Sequence, residues 1–187
     1  MKLPVNYHYL TTFDTNEIKL DNGNWNEYTW RQNKFKVHIF TETIPLMWST
    51  WKPDEPLTIY TFKNDYPVQP IYDYLLNVYP NCTIVKSAFI KLLSNANIIP
   101  HIDSSIDLQL PHRVHICIIP GDNTVFIVND EQKIFKQGEC FEINNLVVHS
   151  VENKGSKDRI HLLIDLLQNE YIKEILYKVA NKDNSFN

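Results

Sequence analysis

The chain has 187 residues, 43% of them hydrophobic and 12% aromatic, which is enough apolar side chain to bury one core and fits one domain spanning 1–187. A formal charge of −4 and a pI near 5.9 supply no basic field, so neither nucleic acid nor an anionic membrane is an expected partner. Cys82, Cys117 and Cys140 are an odd set without CxxC spacing; they fit neither a disulfide framework nor a zinc knuckle and read as buried small hydrophobes.

The N-terminal stretch MKLPVNYHYLTTFDTNEIKL contains no uninterrupted apolar run of the length a signal peptide or membrane span requires, so a cytoplasmic location is expected. Residues 1–80 read as an N-terminal arm or helical layer. Their first 35 residues are polar and irregular. Trp25, Trp30, Trp48 and Trp51 are expected to pack there or to cover a pocket. KFKVHIFTETI (34–44) alternates as a strand does. PVQPIYDYLLNVYP then places Ile71, Tyr74, Leu75 and Val78 at helical spacing between prolines, which predicts a helix.

Residues 81–167 break into short β-branched runs: TIVKSAFIKLL, RVHICIIP, TVFIVND, QKIFKQ, CFEINNLVVHSV and RIHLLIDLL, with GDNT and QG as turns. Residues 168–187 read as a terminal amphipathic helix. Strands that follow one another without helices predict a mainly β fold, an antiparallel barrel or sandwich. A cupin-like jelly roll is one such solution and an immunoglobulin-like sandwich another.

The segment IIPHIDSS is followed, 46 residues after its Asp, by VVHSVEN. On an extended backbone His101 and Asp103, at i and i+2, leave on the same side and can share an ion, with His149 as a third ligand from a later strand. Two imidazoles and a carboxylate form the facial triad that suits iron(II) and leaves positions open; three protein ligands and water would also suit catalytic zinc. Arg113 and His115 likewise share one face of an apolar strand, and Arg159 opens another, ten residues after His149. A buried guanidinium must find an anion, either a structural carboxylate such as Asp158 or Asp165 or a bound dicarboxylate. His112 and His161 are candidates for lining the pocket, whereas His8 and His38 read as structural.

The order HxD, RxH, FKQGECFEI, HSVEN and RIHLLID, over about Ile84 to Leu167, resembles the aspartyl/asparaginyl β-hydroxylase family and its neighbours, the small bacterial proline hydroxylases. The resemblance implies a double-stranded β-helix with flanking helices and the use of iron(II), 2-oxoglutarate and O2. It makes His101, Asp103 and His149 the metal ligands. Arg159 would hold the distal carboxylate of 2-oxoglutarate, while Arg113 and His115 would meet its other end. Asp103, where some relatives have Gly, favours hydroxylation over halogenation. The implied activity is hydroxylation of an amino acid, free or in a peptide or protein. A noncatalytic cupin-like metal-binding module and a zinc-dependent enzyme on the same barrel are the competing readings.

Overall fold

The computed structural model describes residues 3–174 apart from 22, 26, 51–55 and 63. The strands of its N-terminal half are β1 (Tyr7–Thr12), β2 (Thr41–Thr50), β3 (Thr58–Thr61), β4 (Cys82–Leu92) and β5 (Ala96–His101). β6 (His112–Ile119), β7 (Thr124–Val128), β8 (Glu131–Lys133), β9 (Glu139–Ile143), β10 (His149–Asn153) and β11 (Arg159–Gln168) follow. Among the strands lie the short helices α1 (Trp30–Lys34), α2 (Gln69–Val78) and α3 (Ile106–Gln109). All pairings are antiparallel. They build a seven-stranded sheet, in the order β1-β9-β6-β11-β4-β2-β3, and a four-stranded sheet, β5-β10-β7-β8. This is the mainly β, cupin-like jelly roll expected.

Alternation along the strands decides which residues meet which core. In β6 and β11, Val114, Ile116, Ile118, Ile160, Leu162, Ile164 and Leu166 join a core that Ile71 and Leu75 of α2 close on the outer side of the large sheet. The residues between them are Arg113, His115 and Cys117 on β6, and Arg159, His161, Leu163 and Asp165 on β11. These turn toward the small sheet, where Cys117 joins Phe126, Val128, Phe135, Phe141 and Val151 in a second core. The chemistry-bearing side chains therefore lie between the sheets. The reversal into β9 uses Gly138 at φ 81, a conformation that side chains with a Cβ rarely adopt.

The helix expected between the prolines is α2, with a proline in its first turn. Two expectations change. The 34–44 strand begins only at Thr41, since Lys36–His38 form a 3-10 turn and Phe35, Ile39 and Phe40 remain largely exposed. Alternation there reflects no sheet pairing. The N-terminal layer also contributes β1, β2 and β3 to the two edges of the large sheet instead of only wrapping it. Of the expected terminal helix, residues 169–174 are helical and the remainder lies outside the described residues. No helix among the described residues is long and apolar enough to cross a membrane.

Phe89 is fully buried in the outer core, whereas Ile134 is 69% exposed. Phe89→Ala should cost about 3–5 kcal/mol in urea unfolding. Ile134→Ala should stay within about 0.5 kcal/mol of the parent.

Candidate metal centre

β5 and β10 are neighbours, and their register sets His149 directly opposite His101. Opposed residues of an antiparallel pair bring their side chains together, and the two imidazole centroids are 4.3 Å apart. Each ring is held from behind by the carbonyl two residues earlier: His101 Nδ1 lies 2.8 Å from the Ile99 oxygen, and His149 Nδ1 lies 3.0 Å from that of Val147. A carbonyl can only accept, so both Nδ1 atoms carry the proton and both Nε2 atoms keep a lone pair for a metal. Burial lowers the His149 pKa below its usual value, which favours this neutral form.

Asp103 stands in the loop just past β5, with its N–H donating to the Asn145 carbonyl at 3.4 Å. Its Oδ2 accepts from the Asn145 amide at 3.0 Å and from Arg113 Nη1. Its Oδ1 is left facing His101 Nε2, 4.0 Å away. Burial opposes the charge on Asp103, but Arg113, His149 and Asn145 outweigh it and hold the carboxyl below its ordinary range. One ligand atom from each of His101, Asp103 and His149 lies within 4.8 Å of the other two. Two neutral imidazoles and a carboxylate, converging with their other donors tied back, fit a divalent iron.

Arg113 is occupied by the protein itself. Its Nε and Nη2 each donate to Asp165 at 2.9 Å while Nη1 reaches Asp103. Asp165 is fully buried and sits directly across from Arg113 in the β6–β11 register. The two carboxylates raise the Arg113 pKa against the cost of its burial.

Arg159 differs. It is 2% exposed, with Nη2 donating to His161 Nδ1 at 2.6 Å and the guanidinium 5.6 Å from the Phe126 ring centre. Its Nε has no partner, and among the described residues no carboxylate lies within ion-pair distance. Burial pushes its pKa down to about 10. His115 Nδ1 is likewise buried without a partner, and burial pushes both His115 and His161 well below the usual imidazole value. A buried cation without an anion, on the barrel face that carries His115, fits the carboxylate of a co-substrate.

The cavity over the triad is lined by Arg31, His38, His101, Asp103, His149 and apolar residues that include Ile98 and Phe126. Two of the polar residues were not marked as functional by the sequence: Arg31 lies in an irregular segment, and His38 reads as structural. The His38 ring centre is 6.1 Å from that of His101. Asn145 also escaped, although a buried Asn in the apolar run CFEINNLVVHSV was a usable signal. His112 lies on the opposite face, its Nδ1 donating to Glu142 Oε1 at 2.6 Å and its ring stacked near Tyr79. It does not adjoin the metal centre.

Residues 8–169 match the family described as aspartyl/asparaginyl beta-hydroxylase. Among solved structures, the chain is similar to an oxidoreductase of the 2OG-Fe(II) oxygenase family from Burkholderia pseudomallei. The identity is 13% and the TM-score 0.58, over 88% of this chain and 85% of that one. It is also similar to the viral collagen prolyl hydroxylase of Paramecium bursaria Chlorella virus-1, solved with 2OG. There the identity is 9% and the TM-score 0.52, over 87% of this chain and 96% of that one. No curated protein matches the sequence.

Removing the support behind Asp103 tests the geometry. Asn145→Ala should weaken metal affinity about 10–100-fold in competition with a chelator. His112→Ala, on the far face, should leave that affinity unchanged.

Proposed function

Because the chain belongs to the aspartyl/asparaginyl β-hydroxylase family of iron(II)- and 2-oxoglutarate-dependent oxygenases, we propose that it hydroxylates an unactivated C–H bond of an amino acid, free or in a peptide or protein. The observation that carries this reading is the convergence of His101, Asp103 and His149, all with their second donor atoms already engaged. In this reading those three residues hold iron(II), and Arg159 holds the distal carboxylate of 2-oxoglutarate.

When bound, iron and 2-oxoglutarate supply the oxidising chemistry that uses O2 to convert C–H to C–OH. The chain's own residues do the rest. The Nδ1 contacts to Ile99 and Val147 fix two lone pairs before any ligand arrives, and Asn145 and Arg113 hold Oδ2 of Asp103 so that Oδ1 stays free. Arg113 is thus proposed as a positioning residue for Asp103, because Asp165 and Asp103 take up the guanidinium that the resemblance offers to the co-substrate. His115, with a free Nδ1, keeps the co-substrate contact. Ile90, Ile98, Ile143, Val151 and Leu163 form apolar walls that exclude water and suit an unactivated carbon. A cytoplasmic setting belongs to the same proposal, supported by the three free and buried cysteines.

The test is anaerobic titration of metal-free protein with iron(II) and then 2-oxoglutarate, following the weak visible band of the chelate. Wild type should develop the band only after both additions, and His149→Ala should not. Arg159→Leu should need about 10–100-fold more 2-oxoglutarate. Tight retention of zinc with no band in wild type would replace this reading with a zinc-dependent or structural-metal one.

A further inference from the structure

The two arginines between the sheets are held in opposite ways. Arg113 is gripped by the carboxylates of Asp165 and Asp103, which cancel its charge while they fix it. Arg159 is held by an imidazole: its Nη2 donates to His161 Nδ1 at 2.6 Å. Residues two apart on a strand leave on the same face, so β11 itself sets the holder beside the group it holds. Among the described residues no carboxylate lies within ion-pair distance of Arg159.

The same contact fixes the imidazole. A guanidinium only donates, so His161 Nδ1 must accept and the ring proton must sit on Nε2, the reverse of the tautomer at His101 and His149. His161 is 1% exposed, with the Phe135 ring edge-on at 4.9 Å between centres and the His115 ring at 5.7 Å. Burial and Arg159 keep its pKa well below the usual imidazole value, so the lone pair on Nδ1 stays available. On its other side the guanidinium lies over Phe126, and its Nε is buried without a partner.

Charge distinguishes the two kinds of holder. A carboxylate in place of His161 would orient Arg159 equally well, but in a water-excluded interior it would also neutralise it, and a second anion would then meet repulsion from the first. A neutral acceptor orients without neutralising. It leaves both the charge and the unpartnered Nε for a ligand.

We propose that His161 is a positioning residue, which aims Arg159 through a neutral acceptor and leaves the guanidinium its full charge for the distal carboxylate of 2-oxoglutarate. This rests on the oxygenase reading and adds to it a residue that acts only through Arg159.

The test replaces one atom. Asn, Asp and Leu all branch at Cγ, so each can set an atom where Nδ1 stands: a neutral acceptor, a charged acceptor or a methyl group. Iron(II)-loaded protein is titrated without O2, following the visible band, with 2-oxoglutarate and with 2-oxopentanoate, which has the same chain but no distal carboxylate. Wild type should prefer 2-oxoglutarate about 10–100-fold. His161→Asn should keep that preference to within about threefold, His161→Leu should reduce it about 10-fold, and His161→Asp should abolish it. Affinity for 2-oxopentanoate should stay within about threefold of wild type throughout, which also reports that the variants fold. The proposal is overturned if wild type binds both acids equally, if His161→Asp keeps the preference, if Asn and Asp lose it equally, or if the variants weaken both acids alike. Should His161→Asp not fold, Asn against Leu decides: equal preference in those two overturns the proposal, and loss in Leu alone supports it. Absence of the band in wild type with either acid would instead mark failure of the oxygenase reading.

Discussion

The centre depends on one guanidinium shared between two carboxylates. Arg113 leaves β6, is gripped through two nitrogens by Asp165 directly across on β11, and offers its third nitrogen to Asp103, which follows β5 in the other sheet. The large sheet thereby holds the ligand loop of the small one. Burying such charges is costly, and an apolar replacement of similar volume is often no less stable. Its consequence is geometric instead. With one oxygen of Asp103 pinned by Arg113 and Asn145, the other has a defined direction, toward the two histidines. If Asp165 did not hold the guanidinium in place, the fork could rotate onto Asp103 and cover both oxygens.

The same logic governs the imidazoles. Register brings His101 and His149 face to face, but register alone says nothing about which nitrogen points inward. That is decided by the carbonyls of Ile99 and Val147, each two residues before its histidine. The repeated arrangement means that neither ring must change tautomer when a metal arrives. All three candidate ligands are therefore organised by backbone carbonyls, an amide and a guanidinium with no ion needed, which places the cost of ordering in folding and not in binding.

Much of this was legible in the sequence because it follows a period of two. RVHICII and RIHLLIDLLQ alternate polar and apolar residues, so Arg113, His115, Arg159, His161 and Asp165 fall on one face as soon as the strands are recognised. What was not legible depends on contacts between distant segments. Asp165 was visible as a possible partner for an arginine, but only the β6–β11 register tells that it takes Arg113 and leaves Arg159 open. Asn145 acts across 42 residues on Asp103. Around Phe35 and Ile39 the alternation was genuine but had no strand to pair with. There the chain turns over the cavity and carries Arg31 and His38 to it.

Of the eighteen lysines and arginines only Arg31, Arg113 and Arg159 are arginine, and all three line the cavities between the sheets and over the triad. Lysine serves for pairs elsewhere, such as Lys91 with Glu42 at 2.6 Å. A rigid planar fork that keeps its charge when buried is the better device where a carboxylate must be held in one orientation. The three forks nonetheless stand in different electrostatic states. Arg113, flanked by two aspartates, has its pKa raised, whereas Arg31 and Arg159 are pushed down to about 10. The first is a cation the protein has already neutralised. Of the other two, Arg159 is buried and Arg31 half-buried, and neither has a carboxylate within ion-pair distance among the described residues. Arg159 lies against His161, whose ring neighbours His115, and Arg31 against His38, whose ring neighbours His101.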